Sequence, residues 1–356
     1  NLFGKKARNP VVDKIEQFHM DIAASIQKIT EDIILQICKN IKQEYNIDNL
    51  CLAGGVALNC VANGKILKEK IFKNIWIQPA SGDAGGSLGA ALAFWHLELE
   101  KDRENINIDS MQGSYLGPEY SQDNIENELK KLGAKFDVLN NEDLIERTAE
   151  SLSNGAAIGW FQGRMEFGPR ALGSRSILGD ARSATMQKNL NLKVKYRESF
   201  RPFAPSVLRE DLENWFDLDA DSPYMTFVAD INPKIKNKMT EDQDKLFGID
   251  KLNVKRSEIP AVTHIDYSAR IQTVHRDTNS KYYDLIKKFK EITNCPVIVN
   301  TSFNVRGEPI VNTPSDAFKC FMGTELDSLV IGNCYLEKNK QIQSLKKDYT
   351  NKFELD

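Results

Sequence analysis

The sequence predicts an α/β fold, and three observations carry that prediction. Residues 13–45 bear apolar side chains at steps of three or four. Two short apolar runs, at 50–53 and 75–77, each enter a glycine-rich turn that leads into a helical pattern. A second alternation of helical and strand patterns begins near residue 122.

The elements follow in order. Ile15, Phe18, Ile22, Ile26, Ile29, Ile33, Ile37 and Ile41 line one face of a single long amphipathic helix. After a polar turn at 46–49, the strand at 50–53 meets Gly54-Gly55, and helix resumes over 56–67. The strand 75–77 runs into a second turn, 79–86, and a small-residue helix over 88–96. Residues 97–125 are polar, acidic and punctuated by Gly113, Gly117 and Pro118, which reads as linker or surface loop. Then come a helix at 122–132, a strand at 135–139, a helix at 142–153 and a strand at 156–161. Residues 230–257 read as a charged surface insertion. Strand 270–274, helix 280–293, strand 296–300, helix 314–323 and strand 328–331 complete the pattern, and the last twenty residues read as a frayed tail.

Composition excludes several classes. The chain has 356 residues, 41% hydrophobic and 27% charged, which suits two or three folded domains and not a disordered polymer. No uncharged apolar run approaches the roughly 18 residues that span a bilayer. The first residue is Asn1 and no signal-peptide pattern is present, so the chain reads as a cytoplasmic C-terminal piece of a longer protein. Six cysteines without a CxxC pair read as reduced, buried thiols. The four histidines, His19, His96, His264 and His275, make no HxxxH pair and no zinc spacing.

Net charge is −3, which disfavours a nucleic-acid binder. The distribution is uneven: residues 160–210 hold ten Lys or Arg and four acids, so the remainder of the chain is strongly acidic. A local cationic patch on an acidic protein suits a small polyanion. Its core is Gly163-Arg164-Met165-Glu166-Phe167-Gly168-Pro169-Arg170, followed by Arg175, Arg182, Lys195, Arg197, Arg201 and Arg209. Arginine presents a planar fork to two phosphate oxygens, while lysine acts as a point charge. A solvated basic face is the plainer alternative. The strand end 300–307 adds hydroxyls, amides and the Arg306 guanidinium. The turn at Gly54-Gly55 lets backbone N–H groups approach an anion, or simply tightens the chain before a helix. In the turn 81–86, Asp83 is read from the residues alone as a helix N-cap before a cation ligand.

Taken in order, these motifs resemble the O-carbamoyltransferase family, which includes the NodU-type nodulation proteins and the carbamoyltransferases of the tobramycin and cephamycin pathways. The stretches that carry the likeness are DIAASIQ (21–27), LAGGVALNCVANGK (52–65), QPASGDAGGSLGAAL (78–92), GWFQGRMEFGPRALGSRSIL (159–178), KYRESFRPFAPSVL (195–208), ARIQTV (269–274) and NTSFNVRGEPIV (300–311). The likeness points to the C-terminal part of such an enzyme. It implies the second half of an actin-like ATPase domain, similar to threonylcarbamoyl transferases, over 1–110. A linker and surface segment at 111–135, a YrdC-like α/β domain at 136–345 and a tail at 346–356 follow.

The resemblance also implies a chemistry. Carbamoyl phosphate and ATP, with Mg²⁺, give carbamoyladenylate in the YrdC-like domain, and the first domain passes the carbamoyl group to a hydroxyl of a small-molecule acceptor. Lys195-x-Arg197 and Ser302-x-Asn304 match the YrdC-like site. Arg170, Arg201 and Arg270 fall where ATP or carbamoyl phosphate binds, and Arg306 stands beside them. Lys195, Arg201 and Arg170 are the expected catalytic groups. Gly54, Gly55 and Asn59 match the adenylate turn, and Asp83 matches the metal-ligand aspartate, which outweighs the N-cap reading. The family's Fe²⁺ also takes two histidines from an HxxxH pair that is absent from this chain. No membrane and no nucleic acid are expected as partners, and a homo-oligomer is left open. The competing readings are a small-molecule kinase on the actin-like fold, a nucleotide-binding fragment inactive without an upstream subdomain, and an RNA-modification protein.

Overall fold

The apolar periodicity near the N-terminus becomes a 29-residue helix, Gln17–Tyr45. It ends on Asn46, whose φ of 51° lies in the left-handed region that asparagine tolerates. The computed structural model describes residues 3–9, 12–103, 109–246, 248–346, 349 and 353. It separates into two units, one of residues 1–51 and 61–76, the other of 52–60 and 77–356.

In the first unit, strands β1 (Asn49–Leu52) and β2 (Asn74–Ile77) form a two-stranded sheet beside the helices Gln17–Tyr45 and Cys60–Lys68. The long helix buries Glu31 and Cys38. The Glu31 carboxylate pairs with Lys65 and accepts a 2.8 Å hydrogen bond from Gln27 Nε2. This corrects one expectation: the periodic isoleucines are not the buried face. Ile26, Ile29, Ile33, Ile37 and Ile41 are all exposed, although the helix itself forms as predicted.

The second unit is built on a nine-stranded mixed sheet. Its strands are β3 (Asp137–Val138), β4 (Ile158–Phe161), β5 (Arg175–Asp180), β6 (Ala204–Leu208), β7 (Phe227–Asp230), β8 (Ser268–Val274), β9 (Val297–Ser302), β10 (Ser328–Ile331) and β11 (Cys334–Glu337). The order across the sheet is β3-β11-β10-β4-β5-β9-β6-β8-β7. The β10–β4 and β6–β8 pairs are parallel, and the other neighbours run antiparallel. Strands β4, β5, β6 and β10 are buried along their whole length, and of these β4 and β10 also read as short apolar runs in the sequence. The helices Asn141–Ser153 and Ser280–Thr293 pack on each other, each started by an asparagine cap: Asn140 accepts from Asp143 N and Asn279 from Tyr282 N. Thr313 caps Pro314–Gly323 in the same way, with Asp316 closing a capping box. The mixed α/β class expected from the sequence is the class observed.

Four strands lacked a sequence signal: β5, β6, β7 and β11. β5 opens on an arginine inside the basic segment and β6 carries Pro205, both of which mask a strand pattern. The stretch 111–135 is not a loose linker: Met111 is buried with Leu172, Ala204, Tyr224 and Met225, and Gln122–Lys131 is a helix. Residues 104–108 lie outside those described. The segment 230–257 is anchored through Arg256, which is buried and donates to the carbonyls of Lys251, Leu252, Val254, Thr263 and His264. The expected fraying of the C-terminus also fails in part, because Gln341 and Tyr349 are buried. Most of the tail from 347 onward lies outside the described residues. All six cysteines are free thiols, but Cys51 is exposed and Cys60 half-buried.

Candidate functional site

Every site residue expected from the sequence falls in the second unit, and the structure arranges the cationic ones and their partners in three groups, with Asp83 in none of them. The first is centred on Lys195. A wide helical turn, Leu190–Val194, delivers it, with Lys195 N bonded to Leu190 O at 2.8 Å. The next residue, Tyr196, has a φ of 48° and donates its hydroxyl to Gly323 O at 2.9 Å. That reversal separates the directions of Lys195 and Arg197. The Lys195 ammonium donates to Ser302 O and Ser302 Oγ, and to Asn304 O at 3.0 Å and Asn304 Oδ1 at 2.7 Å. Ser302 Oγ in turn donates to Asn304 Oδ1 at 2.7 Å. Three ammonium protons face four acceptors, so Lys195 holds the 302–304 turn in place and acts on any anion through its charge. Burial first, and then the neighbouring Arg197, push its pKa down to about 7.

The second group is a set of guanidiniums. Arg197 Nε donates to Asn191 Oδ1 at 2.7 Å, and its guanidinium stands 5.1 Å from the centre of the Phe203 ring. Burial, then Arg201 and Arg270, bring Arg197 down to about 10. Glu198 bridges two further members: one carboxylate oxygen accepts from Arg201 Nε at 3.1 Å, and the other lies 3.6 Å from Arg306 Nη1. Arg306 N bonds Lys195 O at 3.2 Å, which ties this group to the first. Sequence reasoning missed Glu198. Its signal was an acid in the middle of a basic run, which suits a counter-ion between crowded cations.

Arg170 and Arg270 form the third group. The two lie within electrostatic reach of each other and of the Cys60 thiol, the residue after Asn59. Burial first and Arg170 second lower Arg270 to about 10, and its Nε is buried with no hydrogen-bond partner among the described residues. A buried guanidinium N–H without an acceptor costs about 1–3 kcal/mol until an anion or water meets it. At Gly54 (φ 93°) and Gly55 nothing stands within 4 Å of where a Cβ would sit, so this turn is open space. These features fit a phosphorylated ligand.

Beneath the groups runs a buried polar network. Asn300 Nδ2 donates to Ser206 Oγ (3.1 Å) and Gln272 Oε1 (2.9 Å), and Ser206 Oγ donates to Gln272 Oε1 (2.6 Å). Tyr282 donates to Ser206 Oγ, and Gln272 Nε2 to Leu172 O at 2.7 Å. The arginine-bearing loop is pinned further by Glu166, whose Oε1 accepts from Leu172 N (2.6 Å), Ser174 N (2.8 Å) and Arg175 N (3.3 Å). β6, β8, β9 and the 166–175 loop, which carry or adjoin Arg201, Arg270, Ser302 and Arg170, are thereby cross-linked from below.

Not all of the cationic patch belongs here. Arg175 is fully buried over the Phe161 ring and donates to the carbonyls of Gln162, Gly163, Ser174 and Pro118, so it is structural. Arg182 is held by Asp180. Asp83 is exposed at the start of Ala84–Ala93 and makes no side-chain cap bond, so the N-cap reading is not realised. Among the described residues no three His, Cys, Asp or Glu side chains gather as metal ligands. The described residues do not by themselves fit an iron centre.

The fold and these groups define a class: an α/β protein with clustered, partly desolvated cations suited to phosphorylated small molecules. Comparison with known proteins makes the assignment specific. The carbamoyltransferase N-terminus model matches residues 1–92 and the carbamoyltransferase C-terminus model residues 149–338. The chain belongs to the carbamoyltransferase family, and the likeness is wider than the C-terminal part that the motifs implied. An uncharacterized protein of Synechocystis sp. (strain PCC 6803) is 55% identical over the whole of this chain, which covers 58% of that relative. Nodulation protein NolNO of Sinorhizobium fredii (strain NGR234) is 41% identical over 90% of this chain and 44% of its own length. The 3'-hydroxymethylcephem-O-carbamoyltransferase of Streptomyces clavuligerus is 28% identical over 81% of this chain and 49% of its own length. The chain thus spans about half the length of the curated relatives it matches. Among the described residues no helix is long and apolar enough to cross a membrane.

Proposed function

We propose that this chain is part of a cytoplasmic O-carbamoyltransferase that makes carbamoyladenylate from carbamoyl phosphate and ATP and passes the carbamoyl group to a hydroxyl of a small-molecule acceptor. In this reading residues 136–345 are the YrdC-like adenylate-forming part and residues 1–110 belong to an actin-like transfer domain. The observation that carries the proposal is the direct bonding of Lys195 to Ser302 and Asn304 beside the Arg197, Arg201 and Arg306 guanidiniums.

The chemistry asks for such charges. Water adds to the carbonyl carbon of carbamoyl phosphate, the bond to phosphate oxygen breaks, and carbamate and phosphate result. A carbamate oxygen then attacks the α-phosphorus of ATP, the α–β bridging bond breaks, and pyrophosphate leaves with the electron pair. Two anions must meet in that step. Arg170 and Arg270 offset their repulsion, while Arg197, Arg201 and Arg306 stabilise the charge that develops on the phosphoryl oxygens. Glu198 keeps Arg201 and Arg306 aligned. In transfer, the acceptor hydroxyl attacks the carbamoyl carbon, AMP departs and the hydroxyl proton is lost. Mg²⁺ enters with ATP.

The test is pyrophosphate release from ATP with and without carbamoyl phosphate. Release that depends on carbamoyl phosphate is expected, and Lys195→Ala or Arg170→Ala should lower it by about 10²-fold or more with the fold intact. ADP in place of pyrophosphate would favour a kinase, and undiminished release in both variants would overturn the site.

A further inference from the structure

His264 sits in a turn whose hydrogen bonds decide where its protons are. His264 N donates to Ser268 O at 2.9 Å and Tyr267 N to His264 O at 3.1 Å, with Tyr267 at a φ of 65°. Asp266 Oδ1 accepts from Ser268 N at 3.0 Å and from Ser268 Oγ at 2.7 Å. A serine hydroxyl has one proton. Having given it to Asp266, Ser268 Oγ accepts from His264 Nδ1 at 3.0 Å. That fixes the tautomer: Nδ1 carries the proton and Nε2 the lone pair. The imidazole is half-buried, and among the described residues Nε2 has no hydrogen-bond partner. The turn stands at the sheet edge that carries the cationic groups. Ser206 of β6 pairs with Gln272 on β8 and with Ile298 on β9. Because β8 runs parallel to β6 and β9 antiparallel, counting four residues outward from that level reaches Ser268 and Ser302 at the same edge. Two strand spacings, about 10 Å, separate the serine that holds His264 from the serine that Lys195 grips. Ser268 and Arg270 share one face of β8, and the imidazole lies within electrostatic reach of Arg270.

The water step has a proton to lose, and the three cationic groups have nowhere to put it. Guanidiniums do not accept protons. Lys195 directs its ammonium into the 302–304 turn. Glu198 is committed to Arg201 and Arg306, and Glu166 to backbone N–H groups. We propose that His264, oriented by Ser268 and Asp266, is the general base that takes a proton from the water attacking carbamoyl phosphate. The inference rests on the carbamoyladenylate reading of this site. As the water oxygen bonds the carbonyl carbon, one of its protons passes to Nε2. The bond from that carbon to the phosphate oxygen breaks, and phosphate leaves with the electron pair. Carbamic acid forms, the imidazolium passes its proton to the departing phosphate, and the acid then ionises to carbamate. Burial first holds the imidazole below the ordinary histidine range, with Arg270 and Arg256 adding to it and Asp266 opposing, so the ring is uncharged and able to accept at neutral pH. Asp230, opposite Ser268 on β7, is a further charged group on this side.

The test compares pyrophosphate release driven by carbamoyl phosphate with release driven by freshly dissolved ammonium carbamate, which enters after the water step. His264→Gln should lower the first by about 10²-fold or more and the second by under about threefold. Loss of both alike, or of neither, would overturn the proposal. An unaltered protein that releases no pyrophosphate with either donor would overturn the adenylate reading, and the proposal with it. A second measurement does not depend on the folding of the His264 variant. In the unaltered protein the carbamoyl-phosphate rate should fall on the acid side as His264 takes its proton. Asp266→Asn, at an exposed position, removes a negative charge that favours the imidazolium, so that limb should move to lower pH. The same change should cut kcat about tenfold and leave KM within about twofold, because Asp266 orients the base and does not hold the substrate. A limb that this change does not move would count against His264.

Discussion

At the scale of single residues, Lys195 shows how burial turns a surface-type residue into a device. Its pKa of about 7 means that the ammonium loses its proton near neutrality. The folded-state value lies below the ordinary lysine value of about 10.4, so between those two limits the unfolded chain binds more protons. On this group's account stability therefore rises with pH across that window, and the cost of the buried charge is greatest below it. Anion binding runs the other way, because it needs the charge. ATP affinity measured by calorimetry should weaken as pH rises from about 6 to about 9, and Lys195→Met should flatten the profile. A wild-type profile as flat as that of the variant would show that the charge is not used. Sequence reading found Lys195 and its Ser302–Asn304 partners through their motifs. It could not find Glu198, Glu166 or Asn191, because an acid or amide gains its meaning from which cation or N–H lies opposite it in space.

At the scale of elements, the loop from Glu166 to Arg175 depends on a residue without a side chain. Gly173 has a φ of 107°, and a Cβ there would stand 2.3 Å from the Tyr282 ring. Tyr282 is itself fixed through Ser206 in the polar network. Gly173→Ala combines a left-handed backbone with a hard clash, and should lower stability by about 2–4 kcal/mol in denaturant titration. A loss under about 1 kcal/mol would mean that the ring can move aside. Elements with clean periodicity, such as Ser280–Thr293 and Pro314–Gly323, were legible to the residue. β5 and β6 were not, since Arg175 and Pro205 break the apolar run and only the neighbouring strands supply the burial that makes them strands. The long helix was legible as a helix but not by orientation: hydrophobic period reports which side prefers burial, not what lies there to bury it.

At the scale of the whole molecule, the reading divides labour between the Lys195 groups and the Asp83 turn. Asp83 is exposed and makes no cap bond, so Asp83→Ala should leave stability within about 0.5 kcal/mol. Pyrophosphate release should persist while carbamoyl transfer to a hydroxyl acceptor disappears, followed as carbamoylated product by mass spectrometry. Loss of both steps together would argue for one site and not two. The mixed α/β class and the cationic character of the second unit were both readable beforehand. The convergence of Arg170, Arg197, Arg270 and Arg306 was expected from the family motifs, but how it is achieved was not legible: these residues are far apart along the chain, and it is the sheet order β5-β9-β6-β8 that makes their segments neighbours.

Tyr349 adds a practical corollary for anyone handling the protein. Its ring lies where Gly323 leaves room, with ring atoms 2.5 Å from where a Cβ would stand, and its hydroxyl donates to Glu308 Oε1 at 2.9 Å. Glu308 also receives Val305 N at 2.9 Å and, through its carbonyl, Asn304 Nδ2 at 2.6 Å. A late stretch of chain thus latches the turn that Lys195 grips from the opposite side. Protease clipping after Leu345 would leave Lys195 in place yet slacken its partners, so pyrophosphate release should fall about tenfold or more while near-native circular dichroism is kept.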